Sequence, residues 1–191
     1  KKLLEAIAAA YEIKDSQKNR FKIIAYDRAA TAIEQLSSEA KDIWEDGKLT
    51  SIPGIGPSIA QHLQELFKTG SVKHFEEILK GLPPAMFKLL DIKGIGPKTS
   101  FKLCKELNIT DPDKSLQQIK EAAKKNKIQQ IEGFGKESEK NILQAIKEYE
   151  KVGTRKKRMN LPYAESLASK LIDYMKECPE VKEINPLGSL R

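Results

Sequence analysis

The chain has 191 residues, 39% of them hydrophobic and 32% charged, which is enough apolar material to bury a core and too much for a disordered tail. With 34 basic against 27 acidic side chains the formal charge is +7 and the pI about 9.2, a balance that favours a polyanionic partner, nucleic acid ahead of membrane. No apolar run approaches the ~20 residues of a membrane span and no charged-then-apolar leader opens the chain, so a soluble intracellular protein is expected, built from two or three small modules. Cys104 and Cys178 lie far apart outside any C-x-x-C pair, and His62 and His74 have no carboxylate or thiol at ligand spacing. Neither a disulfide framework nor a zinc site is suggested, and both thiols are expected to be reduced.

In chain order, an amphipathic segment over about 38–47, with Ile43 and Trp44, leads into the turn Ile52-Pro53-Gly54-Ile55-Gly56 and then a helix over about 57–69. The pattern returns twice. A segment over about 84–91 with Met86, Phe87, Leu89 and Leu90 precedes Ile92-Lys93-Gly94-Ile95-Gly96 and a helix over about 97–107. A segment over about 115–126 with Leu116 and Ile119 precedes Ile131-Glu132-Gly133-Phe134-Gly135 and a helix over about 136–150. The period of about 40 residues is that of a repeated supersecondary unit: helix, hairpin, helix. Beyond each turn, Leu63 and Phe67, Leu103 and Leu107, or Ile142 and Ile146 recur at the four-residue step of a buried helical stripe. Pro57 and Pro97 stand where a first helical turn tolerates a residue without an N–H.

Glycines on both sides of one apolar residue let the backbone bend sharply and approach a partner closely, while Ile55, Ile95 or Phe134 is expected to plug the core. The unpaired N–H groups at the start of each following helix, with the positive end of its dipole, suit a phosphate. One such turn could merely terminate a helix. Three in phase predict a sequence-independent clamp on a phosphate backbone. A Walker loop is excluded because Gly96-Pro97-Lys98-Thr99 interposes proline, and a dinucleotide fingerprint because Ile59 replaces the third glycine in a helical context.

These turns resemble the helix-hairpin-helix motif, and their arrangement resembles the N-terminal half of a family X DNA polymerase, the polymerase beta-like repair enzymes, in its bacterial or archaeal branch. Phe21-Lys22-Ile23-Ile24-Ala25-Tyr26-Asp27-Arg28-Ala29-Ala30 is similar to the helix which that family places before its first hairpin, and Leu161 through Arg191 to the start of its catalytic palm, ending on Gly188-Ser189-Leu190-Arg191. The resemblance implies a chain that is all-α for most of its length, with the first helix and strand of an α/β nucleotidyltransferase palm at its end. It implies a first DNA-binding domain over 1–80, a second over 81–152 with the second and third hairpins, and a linker with a truncated palm over 153–191.

The implied DNA-phosphate contacts are Gly54, Gly56, Ser58, Gly94, Gly96, Lys98, Gly133, Gly135 and Lys136, with Lys22, Tyr26, Lys68 and Lys73. A monovalent cation, Na+ or K+, would be held by the carbonyls of Thr50, Ile52 and Ile55 and of Leu90, Ile92 and Ile95. The third hairpin offers Gln129, Ile131 and Phe134, but Glu132 and Glu137 put negative charge beside it, so weaker binding is expected there. The family can also carry a 5′-deoxyribose-phosphate lyase acting through a lysine Schiff base. Lys22 and Tyr26 match two pocket positions, whereas the nucleophile position is His62, and Ser58 and His74 fill other basic positions. Imidazole does not form the stable imine of a primary amine, and Lys68, Lys73 and Lys102 are not placed by the motif. Lyase activity is therefore not expected.

Lys151-Val152-Gly153-Thr154-Arg155-Lys156-Lys157-Arg158, with five basic side chains and no acid, reads as a linker able to follow a DNA backbone. Ala164, Leu167, Ala168, Leu171, Ile172 and Met175 form a helical stripe, and Val181, Ile184 and Leu187 suggest a strand. In the resembling enzymes Gly188 and Ser189 help hold a deoxynucleoside triphosphate, and aspartates that bind Mg2+ come later, beyond this sequence. The overall expectation is the DNA-binding half of a gap-filling repair polymerase, monomeric, cytoplasmic with the nucleoid, holding gapped or nicked duplex DNA. The alternatives are a non-catalytic helix-hairpin-helix scaffold or, against the imidazole at the nucleophile position, a 5′-deoxyribose-phosphate lyase.

Overall fold

The computed structural model of the chain describes residues 1–153, 161–178, 180, 181 and 183–185. Among these residues the structure is helical and has no strand. Helices α1 (Lys2–Asp15), α2 (Arg20–Glu34) and α3 (Ala40–Glu45) precede the first hairpin; α4 (Pro57–Thr69) and α5 (Lys73–Leu79) follow it. Helices α6 (Pro84–Leu89) and α7 (Pro97–Glu106) flank the second hairpin, and α8 (Ser115–Lys124) and α9 (Lys136–Gly153) the third, before α10 (Leu161–Lys176). Contacts divide the chain into one unit of residues 1–5, 25–74 and 157–191 and another of residues 6–24 and 75–156.

Local chemistry sets the helix boundaries. Helix α4 starts on Pro57 and stops where Gly70, at φ +77°, turns its N–H back onto the Leu66 carbonyl at 2.8 Å. Helices α7 and α8 use asparagine for the same left-handed stop. Asn108 has φ +53° and Asn126 φ +54°, and the next amides, Ile109 and Lys127, bond back to Cys104 and Ala122 at 2.8 and 2.9 Å.

In the first unit, Ile52, Ile55, Ile59, Ala60 and Leu63 are buried, and the rings of Trp44 and Phe67 lie 5.4 Å apart. In the second, Met86, Leu89, Ile92, Leu103, Ile119, Ile128 and Ile146 belong to one cluster of buried side chains. Each fully buried Leu or Ile there contributes about 1.5–3 kcal/mol. The two chain segments 84–110 and 115–149 thus share a core that neither could bury alone.

Two expectations change. Helix α9 runs through Gly153, so the start of the supposed linker is helical; Thr154 to Arg158 lie outside the described residues. No strand is found at Val181 or at residues 183–185. Leu187, Gly188, Ser189 and Arg191 fall outside the described residues. Helix α10 forms, but its Leu167, Leu171 and Met175 are 40%, 56% and 41% exposed.

Candidate nucleic-acid interface

Each hairpin is a four-residue turn closed by one backbone bond. The amides of Ile55, Ile95 and Phe134 donate to the carbonyls of Ile52, Ile92 and Ile131 at 3.0, 3.0 and 2.9 Å. The third residue of each turn is Gly54, Gly94 or Gly133, at φ +93°, +90° and +78°. Positive φ at that position is what a type II turn demands, and it is the reason for the first glycine.

The second glycine has no such reason. Gly56 and Gly96 have φ of −80° and −85°, which any residue adopts, and Gly135 is likewise outside the positive range. A Cβ added at Gly56, Gly96 or Gly135 would meet no protein atom within 4 Å. Gly56 and Gly96 occupy the N-cap positions of α4 and α7 with no side chain capping the helix, and the first helical bonds run from Ala60 to Gly56 and from Ser100 to Gly96, each at 2.9 Å. The amides of the first turn before those bonds, with the positive dipole end, are what an anion can take up. Ser58, Lys98 and Lys136 are all exposed beside these termini, and Lys98 Nζ lies 3.5 Å from the Ser16 hydroxyl.

In the first unit, Tyr26 is buried and its hydroxyl lies 2.9 Å from His62 Nδ1, while the His62 and His74 rings stack at 4.9 Å. Burial first, then the charge of His74, lowers the His62 pKa below its ordinary 6.5, and Glu65 pulls the other way. The Tyr26 hydroxyl and His62 Nδ1 share a hydrogen bond whose direction is set by the His62 tautomer. Three side chains distant in sequence therefore form one row, in which the His62 imidazole is engaged with the Tyr26 phenol on one side and the His74 ring on the other. Lys68 and Lys73 are exposed, and the Lys73 amide donates to Glu65 Oε1 at 3.0 Å. In the second unit, exposed Lys22 holds its ammonium 4.9 Å over the Tyr11 ring.

The three hairpins are not equivalent. Ile55 and Ile95 are each 4% exposed, as expected of core plugs, but Phe134 is only half buried, because a ring larger than isoleucine packs against the core with one part outside. The residue four places after the second glycine is Ala60, Ser100 or Glu139. Glu139, which the sequence reading passes over, is 8% exposed and takes the Gln129 amide on Oε2 at 3.2 Å. With Glu132 and Glu137 exposed beside it, the third hairpin is the most acidic. The second and third hairpins together line a groove of about 450 Å³ holding Lys93, Lys98, Lys102 and Phe134.

Among the described residues, no group of three or more His, Cys, Asp or Glu side chains is arranged to hold a metal ion, and no helix is long and apolar enough to cross a membrane.

Comparison with known proteins agrees with this geometry. Residues 1–72 match a helix-hairpin-helix domain and residues 87–148 a SAM-like helix-hairpin-helix tandem. The chain is 33% identical over 190 residues to the DNA polymerase/3'-5' exonuclease PolX of Bacillus subtilis. That match takes in 100% of this chain and 31% of the relative, so the chain spans about a third of the relative's length. The hairpins, their order and the whole-length similarity agree: the chain resembles the N-terminal helix-hairpin-helix portion of a family X DNA polymerase.

Proposed function

We propose that this chain is the DNA-gripping portion of a gap-filling repair polymerase, which holds gapped or nicked duplex by its phosphates without reading bases. The observation that carries the reading is the second glycine of each hairpin, free of any backbone or packing requirement and so explained by a partner's close approach. A phosphate oxygen would accept the amides at the start of α4 and α7, and Lys98 and Ser58 would add charge and a hydroxyl at the same termini. The acidic third hairpin would hold DNA least. Gly54 and Gly94 shape the turns, while Lys22, Lys68, Lys73 and Lys136 add the salt-sensitive background attraction.

A monovalent cation fits the first hairpin. Pro53 has no N–H to offer the Thr50 carbonyl three residues earlier, which with the Ile52 and Ile55 carbonyls makes a hard oxygen donor set. Leu90, Ile92 and Ile95 would do the same at the second hairpin. Such an ion, Na+ or K+, would supply positive charge toward a DNA phosphate. Triphosphate binding and the Mg2+ chemistry of nucleotidyl transfer would belong to the palm of a longer, monomeric polymerase.

Fluorescence anisotropy on gapped duplexes of two unrelated sequences tests this. Affinities should agree within about threefold at each salt concentration and fall together between about 50 and 200 mM salt. A difference of tenfold or more between sequences would overturn the reading.

A further inference from the structure

The groove between the second and third hairpins combines two chemistries. Lys93, Lys98 and Lys102 supply positive charge, Ser138 and Asn141 supply hydrogen-bonding groups, and the Phe134 ring supplies an apolar surface. Lys102 holds its ammonium 6.0 Å from the centre of that ring and 3.7 Å from where a Cβ on Gly133 would stand. A phosphate alone would need no aromatic wall. A groove of about 450 Å³ with both features fits a nucleotide, base and phosphate together.

From this we infer that the groove is a nucleobase-stacking site for single-stranded DNA, with one unpaired base on the Phe134 ring and its phosphate among Lys93, Lys98 and Lys102. The third hairpin differs from its siblings where this role requires it. Its central residue is aromatic and only partly buried where the others are aliphatic and fully buried, and the acids Glu132 and Glu137 make it a poor phosphate clamp. Stacking tolerates any base, since every base has a π face, and so preserves indifference to sequence. Lys102, now over the ring, would move to the phosphate as the base arrives. The inference rests on the DNA-binding reading above and extends it from the duplex to the unpaired strand of a gap.

The experiment is an anisotropy titration of labelled oligothymidylate and of a labelled intact duplex with wild-type protein, Phe134→Ile, Phe134→Tyr and Gly96→Ser. Phe134→Ile restores the residue type of the other two hairpins. It should weaken single-strand binding about fivefold to tenfold and duplex binding less than twofold, while Phe134→Tyr, which keeps a ring and serves should the isoleucine variant unfold, stays within twofold of wild type for both. Gly96→Ser should weaken both. If Phe134→Ile binds the single strand as wild type does, or Phe134→Tyr loses as much as Phe134→Ile, stacking is overturned while the Gly96→Ser result still decides the phosphate clamp. If wild type binds neither probe, both readings fall.

Discussion

Replacing Gly96 by serine separates what the fold needs from what a partner needs. The N-cap of α7 has φ −85° and ψ 176°, the extended conformation that serine adopts readily, and a Cβ there meets nothing within 4 Å. Serine offers a hydroxyl to the amides of the first turn, worth a few tenths of a kcal/mol over glycine, and restricting the unfolded chain adds about 0.4–1 kcal/mol. The variant should therefore be more stable by about 1 kcal/mol, a rise of roughly 2–4 °C in melting temperature by circular dichroism. The same side chain occupies the space through which a phosphate would reach those amides. Losing one hydrogen bond to a charged acceptor costs about 1.5–3 kcal/mol, so affinity for gapped duplex should fall about tenfold or more by anisotropy. Higher stability with unchanged affinity would refute the claim that this glycine is kept bare for a phosphate.

Gly54→Ala should act in the opposite sense on the fold. At φ +93° a side chain costs about 1–2 kcal/mol, so thermal unfolding should shift downward, and an unchanged midpoint would contradict the turn assignment. Acid should weaken the Tyr26, His62, His74 row. Because the folded His62 holds its proton less tightly than the unfolded one, the contribution is full above about pH 6.5 and is lost as pH falls through the lower folded value. His74→Gln, which removes the like charge, should shrink the drop in melting temperature between about pH 7.5 and pH 5; an undiminished drop would rule out this coupling. Buried Cys104 has its thiol pushed up to about 12 by burial, while Cys178 is exposed. A chromogenic disulfide reagent at about pH 8 should therefore titrate one thiol rapidly in the folded chain and two after denaturation, and two rapid thiols would contradict the packing around Cys104.

The hairpins and their flanking helices are legible in the sequence because their signals are local. Pro57 and Gly70 punctuate α4, and the apolar step from Leu63 to Phe67 marks its inner face. Helix α1 was legible in principle. Leu4, Ile7, Ala8 and Tyr11 stand at helical spacing and are buried, but the run carries neither glycine nor proline to mark its edges, and the repeat does not include it. Helix α5 is short and sits outside the repeat for the same reason. The stacking of His62 on His74 is a tertiary fact that no spacing announces, and so is the incomplete burial of Phe134, which the repeat pattern alone assigns to the core beside Ile55 and Ile95. A strand at Val181, Ile184 and Leu187 is the least local of the expectations, since alternation specifies a strand only where a neighbour supplies the ladder, and Leu187 lies outside the described residues.

The most direct measurement is an amide-resolved NMR titration of the isotopically labelled chain with a short gapped duplex. Saturable shifts should concentrate on the amides of Gly56, Ser58 and Ile59 and of Gly96 and Lys98 to Ser100, with smaller ones at Gly135 to Ser138, and should be the same for two DNA sequences. Shifts that leave these amides unmoved and gather on other surfaces would show that the bends do not hold the DNA backbone.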